Sequence, residues 1–482
     1  MRKIFITVLV SVIALSSCDD RMIELNRPKK NASEVPGETL FTSGLRSTFD
    51  MMVSTSVNEN VFRLYAQYWA QTTYPDESQY NMVSREIPDN LWRNAYRDAL
   101  MDLDQASQRI ELTAEKLGLT EAEKNNQLAI ITICKVYVYS VLADAFGAAP
   151  FSEALNPEIL VPKYDKAEDI YAGIIGMLDG AINSITEGEA AISEDQDPVY
   201  DGEIEGWKKF ANSLKLRLAI TIADVDNAKA STMVTQALAS GVILSNADNT
   251  SMTYQAEAPN TNPLWEDLVQ SGRADFVVAN TFIDKLNALA DPRIAVFAEK
   301  VGGIYKGGDY GDGNSYDDNS HVGDLFHQPD LEGVIFDAAE VQFLLAEAAE
   351  RSLGGLVPAD AAGHYDDAIT LSMEYWGITG ASVTAYLANP DVAYATAAGT
   401  WKQKIGIQSW IGFYNRGFEG WNLWRRLDFT GFNVPTDLTY DDIPRRMIFP
   451  LEEATLNPTS LDEAIQLIGA DDVQTKVFWD VN

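Results

Sequence analysis

The chain has few of the residues from which many catalytic and metal sites are built. It contains two cysteines and three histidines among 482 residues. The sequence also lacks the G-x-S-x-G and H-E-x-x-H motifs and the glycine-rich phosphate loop. With 71 acidic residues, a carboxylate pair at glycosidase spacing carries no information, because such a pair always exists. We therefore expect no catalytic residue, no cofactor and no resident metal.

Basic charge is equally scarce. Lysine and arginine number 36 against 71 acidic residues, which gives a net charge of −35. A nucleic-acid partner is excluded, because binding a polyanion requires basic side chains that displace its counterions. Adhesion to anionic lipid through the protein surface is excluded for the same reason. The long-range field also disfavours polyanionic glycans as ligands.

What is present begins with an N-terminal leader. Arg2 and Lys3 precede an apolar run, Ile4–Leu15, which is too short to span a bilayer. The run ends in Leu-Ser-Ser-Cys, a sequence that resembles the lipobox of bacterial lipoproteins. We expect residues 1–17 to be a signal peptide and Cys18 to carry diacylglycerol and a further acyl chain such as palmitate. Lipidation leaves one free cysteine, so no disulfide is expected.

A polar segment follows the expected lipid anchor. Asp19 and Asp20 look like an export signal that places lipoproteins on the outer face of the outer membrane. Residues 18–38 are predicted to be a flexible tether, and residues 39–482 a single binding domain. No later segment reads as a transmembrane helix.

The domain reads as mainly α. Three capping signals precede apolar runs with helical spacing, at Thr120-x-x-Glu123, Asp165-x-x-Glu168 and Asp337-x-x-Glu340. Short links between helices favour antiparallel hairpins, similar in size to tetratricopeptide units but without a fixed period. Three long irregular stretches lie between the helices, at residues 187–205, 246–274 and 302–332. We expect helical hairpins packed against an irregular, loop-rich half.

Ordered motifs along most of the chain carry a family resemblance. They are Phe62–Tyr74 with Asp76-Glu77, Ile87–Trp92, Asp144–Pro150, Lys163–Asp165, Trp207–Arg217, Asp291–Arg293, Ala339–Glu347, Trp421–Arg426 and Pro444–Arg446. In this order they resemble the SusD/RagB family of nutrient-binding outer-membrane lipoproteins. The chain departs from relatives at Ala148-Ala149, where a polar residue commonly precedes the proline.

The resemblance implies a function and a partner. SusD-like proteins capture an oligosaccharide or oligopeptide and act as a lid on a SusC-type TonB-dependent barrel, which imports the ligand. The residues do not decide between glycan and peptide. A structural or adhesive surface lipoprotein without a transport role is the alternative, and a barrel encoded by a neighbouring gene would discriminate between the two.

Two aromatic segments are candidates for ligand contact. The first is the segment 65–80, in which the predicted contact residues are Trp69, Tyr74, Asp76 and Tyr80. Aromatic faces and planar polar groups are the side chains that bind sugars. Trp69 lies at helical spacing with Tyr65 and Tyr68, a stripe that is more typical of a core. The cluster of aromatic residues from Trp401 to Trp424 is better explained as core packing beside paired arginines.

The second candidate is the loop 307–320, with Tyr310 and Tyr316. Its glycines permit close backbone approach, and its carboxylates can accept hydrogen bonds from hydroxyls. A calcium ion is an alternative occupant, although the EF-hand spacing is absent. His321 and His327 flank this region. Imidazoles can bind metal, but two loop histidines six residues apart are more often ordinary polar residues.

Overall fold

The computed structural model describes residues 35–481, so the expected signal peptide, Cys18 and most of the tether lie outside the described residues. Helices account for most of the regular structure. They are α1 (Gly37–Val53), α2 (Phe62–Tyr65), α3 (Ile87–Arg93), α4 (Met101–Leu117), α5 (Glu121–Phe146), α6 (Ala167–Ser184), α7 (Ile204–Thr221), α8 (Asn227–Ser240), α9 (Pro263–Trp265), α10 (Asn280–Leu289), α11 (Ile294–Phe297), α12 (Ala338–Glu350), α13 (Ala361–Tyr375), α14 (Ala381–Leu387), α15 (Trp401–Gly412), α16 (Gly417–Leu427), α17 (Glu453–Leu456) and α18 (Pro458–Ile468). A π-helical turn, Asn94–Leu100, joins α3 to α4. The first helix begins at Gly37, two residues before the predicted domain boundary.

The helices pack as antiparallel neighbours. Helix α1 packs on α4, α5 on α6, α7 on α8, and α12 on α13, while α15 lies against both α12 and α16. These hairpins confirm the prediction of a mainly α fold with tetratricopeptide-like units. The apolar faces of the hairpins meet in one continuous core.

Strands are short and join distant parts of the chain. Each of three two-stranded antiparallel sheets pairs segments far apart or across a loop: β1 (Trp69–Gln71) with β5 (Phe276–Val278), β2 (Ala148–Ala149) with β3 (Asp165–Lys166), and β4 (Thr250–Met252) with β6 (Gly333–Phe336). In the first sheet Trp69 is opposite Val278, and Gln71 is opposite Phe276. This sheet fixes the loop-rich half against the segment that follows α2.

Two of the three predicted helix starts are correct. Thr120 caps α5 with a complete capping box, and Asp337 caps α12 by accepting the Glu340 N–H at 2.7 Å. The prediction at Asp165 is wrong, because its carboxylate accepts the N–H groups of Phe151 and Ser152 instead. Helix α6 begins at Ala167, two residues after Asp165, and its N-terminus has no side-chain cap.

Helix α5 corrects the statement that no later segment reads as a transmembrane helix. Helix α5 is long enough and apolar enough to cross a membrane, with a mean hydropathy of 1.7 over its most apolar window. However, 83% of that window is buried inside the protein. Because its apolar surface is already covered by α4, α6 and α7, we interpret α5 as the central helix of the core.

Candidate functional site

The two aromatic segments selected from the sequence meet in the structure. Residues 74–80 lie beside the loop 307–320, and hydrogen bonds join them. The Gln79 amide donates to the Gly311 carbonyl at 2.8 Å. The Asn314 amide donates at 2.9 Å to the main-chain carbonyl of the last residue of β1. The two segments therefore form one surface, although some 230 residues separate them along the chain.

Glycine is needed where the loop 307–320 begins. A Cβ on Gly307 would lie 2.4 Å from the main chain of Asn280, closer than carbon atoms can approach. The next residue, Gly308, donates its N–H to the carbonyl of Val278 in β5 at 2.9 Å. The glycines thus permit a close backbone approach, as expected, but the partner is the protein's own sheet.

Three of the predicted contact residues are part of the core. The side chains of Trp69, Tyr80 and Tyr310 are 0%, 8% and 4% exposed. The Trp69 indole donates to the Tyr414 hydroxyl at 2.9 Å, because β1 pairs with β5 and turns this ring inward. The rings of Tyr80 and Tyr310 lie 6.3 Å apart, and burial raises the pKa of Tyr80 to about 12. Tyr80 and Tyr310 therefore join the two segments, and Trp69 packs on β5, so in this structure all three predicted contact side chains are buried.

The other predicted residues are accessible. Tyr74 is 62% exposed, Asp76 is exposed, and Tyr316 is half-buried. The ring of Tyr316 stacks on His321 with centroids 3.7 Å apart, so one of its faces is covered. Tyr74 is therefore the predicted ring with the most surface available for a ligand.

The backbone at Tyr74 is held in an unusual conformation. Its φ of 90° lies in the left-handed region, which side chains other than glycine rarely adopt. Such strain costs of the order of 1–3 kcal/mol and persists only where surrounding contacts enforce it. Enforced in this way, the backbone fixes the direction in which the Tyr74 ring projects.

A shallow cleft lies beside the Tyr74 ring, and we call it the Tyr74 cleft. It is lined by Val57, Gln71, Thr73, Tyr74, Arg85, Arg273 and Asp275. Arg273 donates to both carboxylate oxygens of Asp275, at 2.5 and 3.1 Å. The cleft thus offers one exposed aromatic ring and planar groups with several hydrogen-bond donors and acceptors.

A buried polar network holds the floor of the Tyr74 cleft. The Glu77 carboxylate is completely buried and accepts hydrogen bonds from the side chains of Gln71 and Arg85. The side-chain oxygen Oε1 of Gln71 in turn accepts hydrogen bonds from the main-chain N–H and the hydroxyl of Ser78, at 2.8 and 2.7 Å. Because these groups satisfy one another, the turn that carries Tyr74 has a defined shape.

Sequence reasoning missed the charged residues of the cleft. Arg273 and Asp275 directly precede β5, and they reach Tyr74 only because β5 pairs with β1. No local signal in the sequence announces that pairing. The calcium alternative for the loop 307–320 gains no support, because in the described part of the chain its carboxylates are not brought together in threes.

The fold is mainly helical, and the surface around Tyr74 is built by loops. The chain belongs to the SusD-like family, because the model of that family matches residues 28–450. The family is described as starch-binding and associating with the outer membrane. The resemblance expected from the ordered motifs is thereby confirmed. No curated protein matches the chain significantly.

Solved structures agree with the family over nearly the whole chain. A chitin-binding protein superposes with a TM-score of 0.78 at 27% identity, covering 92% of this chain and 99% of that one. A SusD homologue from Bacteroides uniformis gives 0.76 at 26% identity, with 92% and 98% covered. A chitin-binding SusD homologue from Flavobacterium johnsoniae gives 0.75 at 24% identity, with 92% and 99% covered, a likeness of fold.

Proposed function

We propose that the protein captures an oligosaccharide at the outer membrane and delivers it, as a lid, to a SusC-type TonB-dependent barrel. The family match over residues 28–450 carries this proposal, because the family is described as starch-binding and associating with the outer membrane. The chitin-binding relative at 27% identity favours a glycan over a peptide. Capture and delivery need no catalytic group in this chain.

The Tyr74 cleft has the chemistry that a sugar requires. Pyranose rings have apolar C–H faces, which pack on aromatic rings, and a rim of hydroxyls, which bond to planar polar groups. In this proposal Tyr74 covers one sugar face, while at the rim Arg273 donates to sugar hydroxyls and the Asp275 carboxylate accepts from them. Covering the exposed part of Tyr74 is worth about 1–2 kcal/mol, which corresponds to roughly tenfold in affinity.

A calorimetric titration with chito-oligosaccharides and malto-oligosaccharides tests the ligand and the cleft together. We expect Tyr74→Ala to weaken binding of the preferred glycan about tenfold, and Tyr74→Phe to retain most of it. Leu160→Ala is the matched control, because it removes an exposed apolar side chain, 89% accessible, from a different surface. Unfolding temperatures of all variants should equal that of the wild type.

Two results would contradict this assignment. Equal affinity for Tyr74→Ala and the wild type would remove the cleft from the glycan site. Binding of oligopeptides, with none of either glycan series, would replace the ligand class and return the protein to the peptide-binding alternative.

The anchor and the partner are part of the same proposal. A lipid on Cys18 would hold the protein at the outer membrane, facing the cell exterior, where a barrel could receive the ligand. Metabolic labelling with palmitate should be lost in Cys18→Ala, and added protease should degrade the wild-type protein on intact cells. Purification in mild detergent should recover a barrel of the SusC type. Recovery of the lipoprotein alone would support a structural or adhesive role instead.

A further inference from the structure

Two carboxylates and one histidine converge in the loop-rich half, and a second histidine, His321, lies beside one of the carboxylates. The ligand atoms of Glu299, Asp324 and His327 all lie within 4.8 Å of one another. In the described part of the chain, no other set of three histidine, cysteine or carboxylate groups is so close. The Nδ1 atom of His321 lies 3.6 Å from the nearer Glu299 oxygen.

A short helix places two of these groups on one side. Asp324–His327 forms a 3₁₀ turn, in which residues three apart are eclipsed. Phe326 lies between them on the opposite side and is completely buried, with its ring 6.5 Å from that of Phe297. The buried phenylalanine anchors the turn, so Asp324 and His327 project together from a fixed base.

Backbone pairing brings Glu299 and His321 to the same place. The Glu299 N–H donates to the His321 carbonyl at 3.0 Å, and the Gly323 N–H donates to the Phe297 carbonyl at 3.1 Å. A Cβ on Gly323 would lie only 1.9 Å from the carbonyl oxygen of Val296. Glycine therefore allows the approach of the two chain segments that supply the four groups.

The orientation of His321 suits a metal ligand. Its Nε2 lies 3.0 Å from the carbonyl oxygen of Tyr316. A carbonyl only accepts, so Nε2 donates to it, and Nδ1 is left as the nitrogen that can bind a metal ion on the side of Glu299. A histidine whose second nitrogen donates to a backbone carbonyl is the usual arrangement around bound metals, because it fixes the tautomer and the ring.

The two carboxylates also face each other. The ligand oxygens of Glu299 and Asp324 lie within 4.8 Å of each other. Like charges this close repel, and a bound divalent cation would relieve the repulsion.

We propose that Glu299, Asp324, His321 and His327 form a binding site for a divalent transition-metal ion such as zinc. Two imidazoles and two carboxylates match the four-coordinate donor set that zinc accepts, whereas calcium prefers oxygen ligands alone. Zinc bonds of about 2.0–2.2 Å place neighbouring ligand atoms about 3.4 Å apart. Glu299, Asp324 and His327 already lie within 4.8 Å of one another, and His321, which is outside that group, would complete the site by rotation of its side chain.

The ion would act as a structural clamp. It would tie the end of α11 to the 3₁₀ turn and, through the Tyr316–His321 stack, to the loop 307–320. This loop packs on the segment that carries Tyr74, so the ion would rigidify one side of the candidate surface. The proposal does not depend on which ligand the protein captures.

Titration of the purified chain with zinc chloride tests the site, provided that the protein carries no histidine tag. We expect one equivalent of zinc to bind with micromolar or tighter affinity and to raise the unfolding temperature. Glu299→Gln and His327→Gln should each weaken zinc binding at least tenfold, and His321→Gln should weaken it too. His364→Gln is the control, because His364 lies on α13, where its Nδ1 hydrogen-bonds to Gln342.

The same titrations can overturn the proposal. Zinc affinity unchanged by Glu299→Gln and His327→Gln, or reduced equally by His364→Gln, would place any bound zinc elsewhere. Calcium binding as tight as zinc would assign the site to oxygen ligands and remove the histidines from it. Equal unfolding temperatures of the metal-free variants would show that the substitutions act on the metal and not on folding.

Discussion

Glu340 ties three elements of the helical half together, and its removal should destabilise the protein strongly. This residue of α12 is 2% exposed. Its carboxylate accepts from the Arg217 guanidinium of α7, at 2.6 and 2.9 Å, and from Arg416, which lies between α15 and α16. In Glu340→Ala the two buried arginines lose this shared partner. Arg217 then keeps a distant carboxylate, Glu419 at 3.6 Å, and Arg416 keeps Asp337 at 2.8 Å.

The magnitude follows from the burial of these charges. Removing one partner of a buried ion pair costs about 3–5 kcal/mol, because the remaining charge stays desolvated and poorly compensated. An unfolding entropy of about 2.1 cal/mol/K per residue gives roughly 0.9 kcal/mol/K for a domain of this size. We therefore expect Glu340→Ala to lower the unfolding temperature by about 3–5 °C.

Thermal unfolding followed by circular dichroism is the assay, with Arg97→Met as the control. Arg97 is two-thirds exposed and pairs with Asp98 in solvent, so its loss should leave the unfolding temperature nearly unchanged. An unfolding temperature for Glu340→Ala no lower than that of Arg97→Met would refute the reasoning that the buried network stabilises the fold.

The pH dependence of unfolding stability is a second test of the same network. Burial opposes ionisation of Glu340, but Arg217 and Arg416 outweigh it and lower its pKa below the ordinary value of 4.5. A lowered folded-state pKa contributes stability that is complete above about pH 4.5 and is lost as pH falls through the folded-state pKa. The stability difference between the wild type and Glu340→Gln should therefore narrow below pH 4.5. A difference that is constant from pH 7 to pH 3 would contradict the assigned charge state.

Four further substitutions test separate features. Gly363→Ala should stabilise the protein by about 0.5–1 kcal/mol, because this exposed position in α13 has open space and alanine is the better helix former. Gly417→Ala should instead destabilise the protein by about 1–3 kcal/mol, since its Cβ would lie 2.3 Å from the main-chain nitrogen of Arg63. Chemical denaturation measures both changes. Burial and Glu59 raise the pKa of Asp267 to about 6, so its charge destabilises the folded state at neutral pH. Asp267→Asn should therefore have a higher unfolding temperature than the wild type at pH 7.5, and this difference should disappear as pH falls through 6 toward 4. A difference of the same size at pH 4 would contradict the raised pKa. Glu77→Gln should weaken glycan binding by disordering the floor of the Tyr74 cleft, which faster hydrogen exchange of residues 71–85 would report and unchanged exchange would refute.

Local signals account for what the sequence predicted well. The capping box of Thr120 and Glu123 lies within one turn of helix, so no distant residue is needed to form it. The same pattern at Asp165 failed because a segment fourteen residues earlier supplies better donors for its carboxylate. Capping patterns are therefore reliable until tertiary contacts offer the same oxygen another partner.

Burial at the site depends on pairing across long distances. Trp69 and Tyr74 belong to one aromatic segment, yet the first is completely buried and the second is 62% exposed. The difference arises because β1 pairs with β5, some 200 residues later, and ends before Tyr74. Sequence reasoning could select the segment from its composition, but it could not separate the core ring from the accessible one.

The distribution of rigidity explains how an exposed tyrosine can be positioned for binding. The helical half holds its buried charges in shared pairs such as Arg217–Glu340, which leave little freedom for the hairpins to shift. The cleft is held differently, by the buried carboxylate of Glu77 and by a strained backbone at Tyr74. A strained conformation persists only on a base that resists relaxation, so the floor under Tyr74 has to be rigid for its ring to stay presented. A substitution that loosens this floor should therefore weaken binding even though it removes no atom that a ligand would touch.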